Sequence, residues 1–279
     1  MTAPRQDDDR IDGEASRAFA DHFGTRATQL PPLAIVIAAY NEEGSIGPVI
    51  DSLPRTISGL DIAKIVVSDG SVDATVKEAE EAGALVCEVG ANRGQGAALR
   101  LGYRLAREGG AQYIVTTDAD GQYNPAEIEG LLAPILAGRA DFVTGSRTKG
   151  SEETTDPVRK LGVRVFALTI SLLTGQRISD PSFGLRAMRS EVTGAVRLEQ
   201  PQYQAAELLI GVIAHGYRVA EVPATIHKRK VGESKKGHNA FYALHFASVI
   251  AGTWWRERQR RGGSARRSPA SSRGSDSSS

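Results

Sequence analysis

Two aspartates stand one residue apart at Asp118 and Asp120, after the apolar run Tyr113, Ile114, Val115 and ahead of Gly121, Gln122 and Pro125. Carboxylates so close at the end of a buried strand suit a hard divalent cation. Such a cation takes oxygen ligands and often shares one or two carboxylates with the phosphates of its substrate. A solvated turn that closes a strand uses the same residue types, and this stretch alone does not separate the two. A second set of candidates is cationic: Arg147 in TGSR, Arg159 in DPVRK, and Arg229 and Lys235 in KRKVGESK. Arginine fits phosphate because its planar fork makes paired hydrogen bonds, although each of these cations taken singly is an ordinary solvated side chain.

The elements that must position these groups alternate. LAIVIAAY (33–40) is an apolar run of strand length, and NEEGSIGPVIDSLP after it reads as a turn and a helix whose first acids suit its dipole. AKIVVSDGS (63–71) is a second buried strand, VDATVKEAEEAG a helix with a glycine stop, and ALVCEVG a third strand. GQGAALRLGYRLAREGG is the next helix and AQYIVTTD the fourth strand. Strands apolar on both faces, joined by helical crossovers, predict a mostly parallel sheet with helices on both sides. In such a sheet ligands bind at the carboxyl ends of the strands. Those ends read AAYNEE, SDGSVDAT, GANRGQGAA and DADGQ, three acidic turns and one glycine-rich turn that permits close backbone approach.

Composition bounds the class. The 279 residues are 41% hydrophobic, enough for a large core, and the net charge of +1 gives no global field for nucleic acid. The single cysteine, Cys87, excludes an internal disulfide and reads as a small core residue in ALVCEV. Residues 1–28 and 262–279 carry little to bury and read as disordered tails, the first with no signal peptide. The body spans 29–238, followed by a helix over 239–261.

AAYNE, SDGSVDAT, NRGQGAALRLGY, DADGQ, TGSR, DPSFGLRA and KRKVGESK occur in the order that resembles the inverting GT-A glycosyltransferases of the dolichyl-phosphate mannosyltransferase type, over about residues 33–240. The resemblance implies a Rossmann-like α/β nucleotide-diphospho-sugar transferase fold and Mg2+ or Mn2+ as cofactor. It also implies transfer of a hexose, mannose from GDP-mannose in the first reading, from a nucleotide-sugar to a polyprenyl phosphate. By the same resemblance Asp118, Asp120 and Gln122 face the metal and diphosphate, with Asp118 at the ribose or metal region. Tyr40, Asn41 and Glu42 are the first nucleotide contacts, and Asp69 accepts a hydrogen bond from the base. Arg147 and Arg159 hold the acceptor phosphate, while Arg229 and Lys235 close over the donor diphosphate. Two positions depart from the family pattern: Ser68 stands where many relatives carry an acid, and Val163 stands where a serine is usual.

No general base is expected, because a phosphate monoester is already largely ionised at neutral pH, so His215, His227, His238 and His245 are left without a role. Asp180 either orients the acceptor or Arg186, or caps a turn before Pro181. A lipid acceptor implies a peripheral protein at the cytoplasmic face of a membrane, with a membrane-protein partner left open. Asn239 to Trp255 lacks acids, lysines and arginines but is short for a span. Its stripe Tyr242, Phe246, Val249, Ile250 and Thr253, with Trp254, Trp255 and RERQRR following, fits an interfacial helix on anionic lipid; a core-packing helix is the alternative. VRVFALTISLLTG (163–175) is a candidate lining for a lipid entrance. A soluble-acceptor family 2 enzyme, a UDP-glucose-type donor, and a non-catalytic nucleotide-binding protein are the competing readings.

Overall fold

The computed structural model describes residues 3–153, 157–200, 204–228 and 240–265. The first half runs α1 (Ala3–Phe23), α2 (Thr25–Thr28), β1 (Leu33–Ala39), α3 (Ile46–Ser52), β2 (Thr56–Ile57), β3 (Leu60–Asp69), α4 (Thr75–Glu81), β4 (Leu85–Val89), α5 (Gln95–Glu108) and β5 (Tyr113–Asp118). The second half continues with α6 (Ile128–Leu136), β6 (Phe142–Glu152), α7 (Pro157–Thr174), β7 (Arg186–Arg189), α8 (Ser190–Ala195), α9 (Gln204–Ala214), β8 (Val219–Ile226) and α10 (Ala240–Ala265).

The strands form one sheet in the order β4-β3-β1-β5-β7-β6-β8, with the short β2 folded back on β3. Side chains alternate between its faces as a period of two requires. Ala34 and Val36 of β1 join a core with α1, α5, α9 and α10, while Leu33, Ile35 and Ile37 join a second core with α3, α4 and α6. Burial on both faces explains why β1, β3, β4 and β5 read as largely apolar runs. The sheet is mixed where the sequence pattern indicated only that it is mostly parallel: β7 lies antiparallel between β5 and β6. Two reversals restore the direction, so β6 and β8 run parallel to β5 and leave the sheet at the edge where β1, β3 and β4 end.

Both ends of the chain differ from expectation. Residues 3–23 are helix rather than disordered tail, because Ile11, Ala15 and Phe19 repeat every four residues and pack on the core. Asp8 and Asp12, which made this stretch look like a solvated tail, pair with Arg93 and Arg100. The C-terminal helix lies on α9 and α7 with Val249, Ile250 and Thr253 buried, the arrangement of the core-packing alternative. Trp254 Nε1 donates to the Leu173 carbonyl at 2.8 Å. Arg256 and Arg260, expected to face anionic lipid, instead pair with Glu199, Glu207 and Glu257. The side chains of Tyr242 and Phe246 and residues 266–279 lie outside the described region. No helix among the described residues is long and apolar enough to cross a membrane.

Candidate active site

Strand register places the acidic turns side by side. Ala38 pairs with Asp118 across β1 and β5, and Ala39 with Ser68 across β1 and β3, so by register Tyr40, Asp69 and Asp120 fall at one level and Asp118 two residues below it. The first turn is stitched to the second. Asn41 takes a left-handed backbone conformation (φ 51°), which asparagine tolerates better than most residues, and its Oδ1 accepts from the Val72 amide at 2.9 Å. The Asn41 and Glu42 amides donate to Ser71 Oγ and Thr75 Oγ1, and Glu42 accepts from Ser45 Oγ at 3.0 Å. Tyr40 is exposed beside them.

Asp69 is 2% exposed, and its Oδ2 accepts from the amides of Arg93 (2.9 Å) and Gly94 (2.6 Å). Its Oδ1 is buried with no hydrogen-bond partner among the described residues. Burial raises the Asp69 pKa above the ordinary aspartate value, and the two amides only partly offset it.

At the end of β5, Asp118 Oδ1 accepts from Gln95 Nε2 at 3.0 Å, and buried Asp120 accepts from the Gln122 amide at 3.1 Å. Gln122 is tied to the exit of β8: its Nε2 donates to the His227 carbonyl and its own carbonyl accepts from the His227 amide, both at 2.9 Å. The acidic turn therefore fixes the start of the segment that leads to Arg229 and Lys235, which themselves lie outside the described residues. Tyr123 supports the turn from below by accepting the Gly184 amide at 2.9 Å, and burial together with Asp118 pushes its phenol well above the ordinary range. Residue 184 must be small here, since a Cβ would stand 2.8 Å from Asp118 Oδ2.

Arg147 lies within β6, where the pairing with β8 becomes irregular after Ser146, and is not free. Its Nε donates to Asp180 Oδ2 at 2.7 Å, its Nη2 reaches Ser182 Oγ at 3.2 Å, and its Nη1 lies 3.5 Å from Glu152. Burial would lower the Arg147 pKa, but Asp180 outweighs it and the net direction is up. Asp180, fully buried, thus orients Arg147 rather than Arg186, and its Oδ1 also receives the Ser182 amide, the turn-capping alternative. Glu221 holds this loop by accepting the Asp180 amide at 3.0 Å. Beside Arg147 a cleft of about 250 Å3 is lined by Lys160, Val163 and Arg164 of α7 together with residues of β6. Arg159 lies in the first turn of α7, where its side chain is outside the described region. His215 and His227 face Glu257 and Glu153 with their side chains, and Cys87 is buried as a core residue.

The profile described as glycosyl transferase family 2 matches residues 34–196, more than half of the sequence. The chain belongs to glycosyl transferase family 2. Its relatives include a dolichyl-phosphate hexose transferase of Haloferax volcanii, 34% identical over 73% of this chain and 86% of that protein. A polyprenol monophosphomannose synthase of Mycolicibacterium smegmatis is 32% identical over 72% of this chain and 79% of its own length. Among solved structures, glucosyl-3-phosphoglycerate synthase of Mycobacterium tuberculosis, crystallised with Mn2+, UDP and glucosyl-3-phosphoglycerate, superposes with a TM-score of 0.62. At 21% identity over 86% of this chain and 83% of that one, this likeness shows the fold alone, the GT-A fold that the motifs implied.

Within this family 2 chain, Asp69, Asp118, Asp120, Gln122 and Arg147, which the motif reading singles out, lie on one edge of the sheet. That reading missed Gln95, Tyr123 and Glu221, which hold the turns, and Lys160 and Arg164, which line the cleft. Gln95 was visible as the only long polar side chain between the glycines of RGQG; the others carried no local signal.

Proposed function

We propose that this chain is a metal-dependent, inverting hexosyltransferase that moves a hexose, mannose from GDP-mannose in the first instance, from a nucleotide-sugar to a polyprenyl phosphate at the cytoplasmic face of a membrane. The observation that carries the acceptor is on α7. Leu161, Val165, Leu168 and Leu172, spaced as one helical stripe, are 51–75% exposed. At about 100° per residue, Lys160 and Arg164 lie on the flank between this stripe and the buried Val163, Ala167 and Ile170. A cation-lined cleft bordered by an exposed apolar stripe suits an amphiphile whose head is a phosphate and whose tail is hydrocarbon. The names of the archaeal and mycobacterial relatives support the same acceptor class.

The donor side fits a divalent cation. Asp118, Asp120 and the amide of Gln122 offer oxygen donors, and Mg2+ is commonly bound through one or two carboxylates with substrate phosphates completing its shell. When bound, Mg2+ or Mn2+ supplies Lewis-acid stabilisation of the charge that collects on the leaving diphosphate. Asp69 presents Oδ1 to an N–H of the base, and Tyr40, Asn41 and Glu42 line the nucleotide beside it. Arg229 and Lys235 neutralise the diphosphate from the segment anchored at Gln122. Arg147, Arg159, Lys160 and Arg164 hold the acceptor phosphate, whose oxygen attacks the anomeric carbon as the bond to the diphosphate breaks. One displacement inverts the anomeric centre, and the ionised phosphate needs no base.

The test is incubation with Mn2+, a panel of GDP-mannose, UDP-glucose and UDP-N-acetylglucosamine, and either a prenyl phosphate or 3-phosphoglycerate, with product identified by mass. A glycosylated prenyl phosphate is expected, and Asp120→Asn is expected to abolish it while the circular dichroism spectrum is retained. Full activity of Asp120→Asn at limiting Mn2+ would remove the metal assignment. A small phosphorylated acceptor is the second reading, favoured by α10, whose Arg256 and Arg260 are engaged by carboxylates of the chain itself.

A further inference from the structure

Four charged side chains with no role in the site above tie α1 to the segment between β4 and α5, through Arg93, and to α5 itself, through Arg100. Asp12, 4% exposed, lies 2.8 Å from Arg93 and 3.3 Å from Arg100, and Asp8 lies 3.4 Å from each. The Arg93 side chain is itself 9% exposed. The backbone of the same residue, with that of Gly94, supplies both amides that grip Asp69 Oδ2. The loop also closes on the second acidic turn, for a Cβ at Gly70 would stand 2.6 Å from the Asn92 nitrogen. One side chain of α1 thus reaches, through a single residue, the carboxylate whose other oxygen is buried and without a hydrogen-bond partner among the described residues.

We propose that α1 is part of the donor site: Asp12, acting as a positioning residue through Arg93, fixes the 90–94 loop against Asp69 and so sets affinity for the nucleoside half of the donor. The proposal rests on the nucleotide-binding reading given above. A guanidinium this buried is costly once its carboxylate is gone. Without Asp12, Arg93 moves toward water and carries the two amides away from Asp69. The carboxylate is then no longer preorganised for the base, and each binding event must order it again. The diphosphate half, held at the far side of β1 by the Asp118–Gln122 turn, is untouched.

The experiment titrates the full chain and its Asp12→Asn variant with UDP, GDP and pyrophosphate in the presence of Mn2+, by calorimetry. Cys87 gives an independent view of α1: its Sγ lies 3.7 Å from the Ala15 carbonyl, and burial pushes the thiol up to about 12, so slow labelling reports that the helix is docked. Asp12→Asn is expected to weaken the better-bound nucleotide by about tenfold, with pyrophosphate binding unchanged and Cys87 still slow to label, and Asp12→Glu is expected to restore it. Should Asp12→Asn not fold, Asp8→Asn at the outer end of the network is expected to give a smaller loss of the same kind. Unchanged nucleotide affinity, or equal loss for nucleotide and pyrophosphate, overturns the proposal. A wild-type chain that binds neither nucleotide overturns the donor reading itself, a result distinct from either.

Discussion

The two sides of the proposed catalytic edge are built differently. On the donor side, Asp69 and Asp118 end buried strands, Asp120 stands just beyond one, and neighbouring turns brace each other through bonds such as Val72 to Asn41. On the acceptor side, Arg147 depends on Asp180, 33 residues away, which depends in turn on Glu221, 41 residues further on. Position is given by the sheet in the first case and by a chain of buried charges in the second. The acceptor side should therefore be the more fragile under substitution and the donor side the more sensitive to the protonation of a single group.

The largest effect expected on stability tests this contrast at Asp180. Asp180→Ala leaves the Arg147 guanidinium buried with Glu152 at 3.5 Å as its carboxylate and the Ser182 hydroxyl at 3.2 Å, and breaking one partner of a buried pair costs about 3 to 5 kcal/mol. Urea unfolding should show that loss. Calorimetry on the folded fraction should show nucleotide affinity largely retained. Equal damage to nucleotide binding would mean that the two sides are one cooperative unit.

Legibility followed the same division. The donor strands could be read because parallel strands buried on both faces leave unbroken apolar runs, and the acids at their ends are local. Antiparallel β7 could not, since its four residues RAMR are only two apolar side chains between two arginines and carry no turn signal that tells direction. The N-terminal helix was hidden by composition: its acids look solvated until Arg93 and Arg100 are brought beside them. For α10 the apolar stripe was visible, but sequence does not say whether such a stripe meets lipid or protein. In the folded chain Val249, Ile250 and Thr253 are buried, and Arg256 beyond them pairs with Glu199 and Glu207.

A second, intermediate effect concerns pH on the donor side. Burial raises the Asp69 pKa, opposed by the Gly94 and Arg93 amides, so the folded chain holds this proton more tightly than the unfolded one. The stability that Asp69 contributes is then complete below the ordinary aspartate pKa and is lost as pH rises through the raised folded value. Nucleotide binding runs the other way. On the proposed reading an N–H of the base needs the carboxylate, so affinity should fall as pH drops through that same raised value. Calorimetric titration with UDP and GDP across the acid range should show this loss beginning above the pH at which an exposed aspartate titrates. Asp69→Asn should bind weakly and flatten the profile; a profile unchanged by that substitution would place the base elsewhere.

The smallest effect on stability separates α7 from α10, the two helices that compete for the acceptor's surroundings. Leu168 and Leu172 are exposed, 75% for Leu172, so Leu168→Ser with Leu172→Ser removes little buried surface, and each should change stability by no more than about 0.5 kcal/mol. If the stripe meets a bilayer, the same pair should shift the protein out of the vesicle pellet in co-sedimentation with phosphatidylglycerol liposomes and raise the KM for a long-chain prenyl phosphate. The KM for a short, water-soluble one should stay unchanged. On α10 the pattern should invert. Arg256→Gln removes a partner of Glu199 and of buried Glu207, so it should cost stability while leaving sedimentation as it was. Vesicle binding lost in Arg256→Gln and kept in the α7 double variant would return the membrane contact to the C-terminal helix. Binding absent from the wild type at both low and high salt would leave α7 facing water and make the small phosphorylated acceptor the better reading.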